Sequence, residues 1–173
     1  MEGAFSWLGS IMESLGHLLP RIKHVEKNQV CVFFTRGNAK AYGPGLHLYW
    51  PVWSRPMVQS AVRQTFTLQT QTLTTSDGKS VTARAQVILV ISDPILAFVE
   101  TCSIEEAVVD MAMSGVKAVI SKTPLSKLIS NSRAVDTAIK LRVRSELKPF
   151  GVHVVRCFLS DFAAARVICL VQD

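Results

Sequence analysis

Residues 81–87 alternate apolar and polar side chains, and the same apolar side runs on to Ile91. Val81, Ala83, Ala85, Val87, Leu89 and Ile91 fall on one side, and Thr82, Arg84 and Gln86 on the other. A two-residue side-chain period of this length specifies a β-strand with one buried face. Ile88 and Val90 are also apolar, so the far end of the strand is predicted to be covered on both faces. Ser76-Asp77-Gly78-Lys79 in front of it is hairpin-turn chemistry, and Ser92-Asp93-Pro94 stops it. Any fold for this chain must supply strands to pair with this one and a second layer to cover its apolar side.

The flanking sequence offers both. Upstream, residues 29–35 read as a strand, Arg36-Gly37-Asn38 as a turn, and residues 57–75 as a Thr/Gln-rich strand region. Downstream the period becomes helical. Ser103-Ile104-Glu105-Glu106 reads as a capping box, with Ser103 as N-cap and Glu106 reaching back. Ile104, Val108, Met111, Ala112, Val116, Val119 and Ile120 form the stripe of that helix, and Thr123-Pro124 ends it. A second helix is predicted over 132–148, with Val135, Ile139, Val143 and Leu147 inward and Asp136–Lys140 as an outer i,i+4 pair. Residues 152–159 form a last strand, and Asp161 is expected to cap a short final helix. The order is α+β with segregated halves. An amphipathic helix and basic linker (1–24) precede a β-rich, antiparallel subdomain (25–94), and a helix-containing α/β subdomain (95–173) follows.

The N-terminal helix is read from residues 4–19. Phe5, Leu8, Ile11, Met12, Leu15, Leu18 and Leu19 recur at three- and four-residue steps, flanked by Trp7. Pro20 ends the pattern, and Arg21, Lys23, His24 and Lys27 follow. An apolar face with Trp and Phe beside cations suits a membrane interface with anionic lipid contacts at Arg21, Lys23 and Lys27. The alternative to this favoured reading is a helix docked on its own domain or on a neighbouring subunit. Charged residues make up only 18% of the chain, against about 25% in ordinary soluble domains, which favours a partner surface or a membrane. The net charge of +6, from 19 basic and 13 acidic residues, fits anionic lipid or nucleic acid.

Residues 43–53 (GPGLHLYWPVW) pack glycine-proline turn chemistry against a dense apolar run. Such a run either packs into a core or meets something apolar outside the protein.

Chemistry-bearing motifs are missing. Gly78-Lys79-Ser80 lacks the upstream glycine of a P-loop and precedes a strand. His17, His24, His47 and His153 are scattered, without metal-ligand spacing, so neither a metal nor a cofactor is expected. The basic stretch Lys140, Arg142, Arg144 and Lys148 has no interleaved aromatics, which argues against nucleic acid. The four cysteines read as small core hydrophobes. No run is long enough for a spanning helix.

Taken in order, several short stretches resemble the SPFH (band 7) domain of the stomatin, prohibitin and flotillin superfamily. They are Arg36-Gly37, Gly43-Pro44-Gly45-Leu46, Pro51, Asp77-Gly78, Asp93-Pro94, Phe150-Gly151-Val152 and Asp161. The resemblance covers about residues 25–165. Within residues 43–53 it implies a division by position: Leu46 and Leu48 are expected to fill the β core, leaving Tyr49, Trp50 and Trp53 for a shallow interfacial contact, where amphipathic rings are favoured. It implies a non-enzymatic membrane scaffold that oligomerises at one leaflet and organises membrane proteins or a protease client. The alternative is a soluble interaction module that uses the apolar N-terminal face on a protein partner. The family's hydrophobic hairpin is missing, so attachment is expected to be peripheral, on the cytoplasmic face. The sequence ends at Asp173, where the family continues into a coiled coil. The chain is therefore expected to be a truncated or minimal form, or to assemble through its β half.

Overall fold

The computed structural model describes residues 19–101 and 103–164. All but the last residue of the helix read over 4–19, and the chain after Ala164, lie outside them. The described chain is α+β and divides into two compact units between Val62 and Arg63.

The first unit is antiparallel β. Strands β1 (Arg21–Val25) and β4 (Gly45–Tyr49) form a two-stranded ribbon. Strands β2 (Gln29–Thr35), β3 (Asn38–Tyr42) and β5 (Ser54–Ser60) form a sheet in the order β3-β2-β5. The stretch read as a basic linker is thus a strand at 21–25. Its charges hide a β pattern that only the facing β4 completes, as expected when strand preference depends on cross-strand neighbours. Arg36 and Gly37 turn β2 into β3 with φ of 38° and 89°, both left-handed, as a tight hairpin turn demands. The core is small: Val25, Cys31 and Phe33, with Tyr49 and Val58 packed against it.

The second unit is a sheet with helices over its apolar face. Strands β6 (Gln64–Thr67) and β7 (Gln71–Thr74) pair in succession along one edge of β8 (Ser80–Ile91), and β9 (Val152–Ala164) takes the other. Every odd residue of β8 from Val81 to Ile91 is buried, as the alternation predicts, and Ile88 and Val90 are half-buried. These side chains share one core with Val108, Ala112, Val116 and Ile120 of α2 (Ile104–Ile120) and Val135, Ile139, Val143 and Leu147 of α4 (Ser132–Leu147). Two short helices, α1 (Pro94–Glu100) and α3 (Leu125–Ser130), complete the unit.

The short motifs acquire physical roles here. Asp93 is the N-cap of α1: its Oδ1 accepts from Ile95 N and Leu96 N at 3.0 and 3.2 Å, with Pro94 in the first turn. Gly151 lies opposite with φ +66°. Its carbonyl accepts from Ser92 N, Asp93 N and Ser92 Oγ at 2.9, 3.0 and 2.9 Å. The Asp93-Pro94 and Phe150-Gly151 motifs, far apart in sequence, therefore meet at one point. Asp77, at the β7–β8 turn, accepts from Leu125 N at 3.1 Å and so caps α3.

Three local expectations change. Ser103 does cap α2 through Glu106 N (3.5 Å), but its own N–H donates to Thr101 Oγ1 (3.2 Å) and not to Glu106. Asp136 does not pair with Lys140; its Oδ1 accepts from Leu159 N at 3.0 Å. That choice follows from magnitudes, because an exposed i,i+4 pair is worth only about 0.2–0.5 kcal/mol and a strand N–H left unbonded costs about 1–3 kcal/mol. Asp161 caps no helix: β9 continues through it to Ala164, since residues 161–164 stay in register with Val81–Arg84. Strand β9 holds register shifts at two places, opposite Arg84/Ala85 and Ile88/Leu89.

Helices α2 and α4 approach closely at Gly115, where an added Cβ would stand 2.8 Å from Val143 Cγ2. Overpacking there costs about 1–3 kcal/mol, and replacing a helical glycine returns about 1 kcal/mol. Gly115→Ala is therefore expected to lose about 1 kcal/mol in urea denaturation, and Gly115→Leu several times that.

Candidate functional site

The β1–β4 ribbon has two unlike faces. Antiparallel register sets Ile22 opposite Leu48 and His24 opposite Leu46, so these four share one face. Ile22, Leu46 and Leu48 are 68, 71 and 70% exposed. The other face carries Arg21, Lys23, Val25, His47 and Tyr49. There Tyr49 and His47 ring Phe33 at centroid distances of 5.7 and 6.2 Å, and Tyr42 meets Phe33 edge-on at 5.2 Å. His47 Nε2 donates to the Gly43 carbonyl at 2.8 Å and holds the Gly43–Gly45 turn against the strand that leaves it.

The expected division of residues 43–53 is thus reversed in part. Leu46 and Leu48 do not fill the core, and Tyr49 does pack against it. A single register decides this: the core needs Val25 inward, Val25 pairs Gly45, and alternation then sends Leu46 and Leu48 outward. Trp50 and Trp53 are 46 and 54% exposed. The turn bonds Trp53 N and Ser54 N to Trp50 O (3.1 and 2.9 Å) bring their rings to 5.6 Å, and the Arg36 guanidinium lies 6.0 Å from the Trp53 ring.

Phe5, Trp7, Leu8, Ile11, Met12, Leu15 and Leu18 lie outside the described residues. Leu19 is exposed. Of the cations read as lipid contacts, Arg21 and Lys27 are exposed, whereas Lys23 is half-buried on the ribbon face away from Ile22. The residues that sequence reasoning missed are Ile22, Leu46 and Leu48; the signal is the cross-strand pairing of Ile22 with Leu48, which spacing within either segment does not reveal. From 19 to 62 the chain has six Lys/Arg and a single carboxylate, Glu26, so this stretch is basic.

Cys31 and Cys157 are buried free thiols. Burial pushes the Cys157 thiol up to about 12, and the Asp136 carboxylate adds to the rise. Burial also raises Cys31, offset in part by Lys23. Both are unreactive packing residues in this state. No helix among the described residues is long and apolar enough to cross a membrane.

The ordered motifs, the ribbon and the helix-covered sheet can be set beside known proteins. Over 156 residues the chain is 23% identical to an uncharacterised protein of Archaeoglobus fulgidus, covering 90% of this chain and 63% of that one. Two proteins named stomatin homologue, from Pyrococcus horikoshii and Pyrococcus abyssi, are each 23% identical over 145 residues, covering 83% of this chain and 54% of theirs. The chain therefore spans between about half and two-thirds of the length of these relatives. The sequence profile of the SPFH domain / Band 7 family matches residues 23–167, which takes in both compact units and all but the ends of the chain. The protein is a member of the SPFH domain / Band 7 family.

Proposed function

We propose that this chain is a non-enzymatic scaffold, held peripherally on the cytoplasmic face of a membrane, that self-associates and organises membrane proteins or a protease client. Family membership supports a scaffold role in general. The observation that carries the membrane part is the exposed ribbon face of Ile22, Leu46 and Leu48, together with the Trp50–Trp53 pair, in a stretch (residues 19–62) with six Lys/Arg and one carboxylate. Exposed aliphatic side chains lose water contact by entering the acyl boundary. Indole rings favour the headgroup level, and the excess of cations draws the unit to anionic lipid.

Flotation tests this. The chain is expected to rise with vesicles of phosphatidylcholine and phosphatidylserine, and less so with phosphatidylcholine alone. Trp50→Ala/Trp53→Ala should lower the bound fraction severalfold while leaving the urea midpoint nearly unchanged, because both rings are about half exposed. A chain that stays in the soluble fraction with both kinds of vesicle rejects the membrane reading and hands the apolar face to a protein partner.

A further inference from the structure

The second unit carries opposite charge on its two lateral edges. Strands β6 and β7 share one edge of β8 and β9 occupies the other. Helix α4 packs over β9, while α2 contacts β7. On the β6–α2 edge lies a cleft of about 500 Å³ lined by Phe66, Glu105, Glu106, Val109 and Asp110. The three carboxylates are exposed and form no ion pair among the described residues.

On the α4–β9 edge a cleft of about 260 Å³ is lined by Arg133, Asp136, Thr137, Lys140, Arg156 and Cys157. Its three cations also form no ion pair among the described residues, although Arg156 lies 4.6 Å from the ring of Phe158. The one carboxylate in this cleft, Asp136, is committed to Leu159 N. Arg133, Thr137 and Lys140 recur at helical spacing, so they line one face of α4, and exposed Leu141 stands next to Lys140.

We propose that these two edges bind one another between copies: the acidic β6–α2 cleft of one chain receives the basic α4–β9 edge of the next. This rests on the scaffold reading and names the surface through which it assembles. Three carboxylates on one edge match three cations on the other, none of them in an ion pair among the described residues, and each edge brings apolar contact, Phe66 and Val109 on one and Leu141 on the other. A two-fold contact of either edge with itself would set like charge on like. A head-to-tail contact satisfies both edges at once and leaves a free acidic edge and a free basic edge at the ends, so it propagates into rings or filaments.

Charge reversal on each edge decides the matter, using the whole chain and sedimentation velocity. The unaltered chain is expected to form concentration-dependent multimers at about 50 mM salt that dissociate at about 500 mM, as screening of exposed pairs requires. Glu106→Lys/Asp110→Lys makes both edges basic, and Arg133→Glu/Lys140→Glu makes both acidic. Each alone should weaken association by at least about tenfold, as like-charge juxtaposition implies. An equimolar mixture of the two should recover the large species, because each now complements only the other.

Circular dichroism reports folding, and the neutral pair Glu106→Gln/Asp110→Asn should weaken assembly in the same direction if the lysine variant proves unstable. The same chains are compared on phosphatidylserine vesicles by cross-linking. Reversed chains that assemble like the original, or a mixture that stays monomeric, overturn this interface and leave the scaffold reading standing. An unaltered chain that remains monomeric both in solution and on vesicles removes the scaffold reading as well.

Discussion

Gly151→Ala is expected to cost the second unit about 4 kcal/mol, a large part of the 5–15 kcal/mol that holds a typical domain folded. Two effects combine. The residue sits at φ +66°, where an L side chain costs about 1 kcal/mol. The new Cβ would also stand 2.5 Å from the Asp93 carbonyl oxygen and 2.8 Å from Asp93 Cβ, so the backbone must move, at about 1–3 kcal/mol. Movement also loosens the bonds from Ser92 N, Asp93 N and Ser92 Oγ to Gly151 O, each worth about 0.5–1.5 kcal/mol. Gly78→Ala is the control. It shares the left-handed backbone, with φ +73°, but its Cβ would meet nothing within 4 Å, so only the backbone cost of about 1 kcal/mol remains. Urea denaturation of the two variants separates conformation from contact. Equal midpoints would show that the approach to Asp93 is not what demands glycine.

Ile22→Glu/Leu48→Glu is expected to lower the partition onto anionic vesicles by about a hundredfold or more, with far UV circular dichroism unchanged. Full burial of an aliphatic side chain of this size is worth about 1.5–3 kcal/mol, and the variant loses two such groups and gains two charges repelled by the lipid. Folding should tolerate it because both side chains already face water. The matched control is Tyr49→Ser, on the opposite ribbon face and packed on Phe33, which should destabilise the first unit. Undiminished vesicle binding by the double variant would show that the ribbon face is not the contact.

The sequence speaks clearly wherever one short window holds the whole signal. The strand at 80–91, the helices at 104–120 and 132–147 and the turn at Arg36-Gly37 all stand where alternation, helical spacing and turn chemistry put them. Legibility fails where the deciding partner is remote. Strand β1 looks like a charged linker until β4 is set beside it. Leu46 and Leu48 look like core residues because nothing in their own segment fixes which alternate face points inward; Val25, opposite Gly45, fixes it. Asp136 looks paired with Lys140 until the N–H of Leu159 competes for it. The short helices α1 and α3 have only seven and six residues, too few to show a period, although Asp93-Pro94 marks the start of α1 as an N-cap and first-turn proline.

The bond from Leu159 to Asp136 has a wider consequence. Strand β9 is 13 residues long, and one of its sides belongs to β8. A long open strand is a template for uncontrolled pairing with any other extended chain. At Leu159 an outward N–H is already occupied by Asp136, and the register shifts break the flat line of donors and acceptors that a foreign strand would need. Amyloid-like addition along this side is thereby discouraged. Asp136→Ala, which frees the Leu159 N–H, should therefore make the chain prone to irreversible aggregation, read as light scattering on prolonged incubation at high concentration.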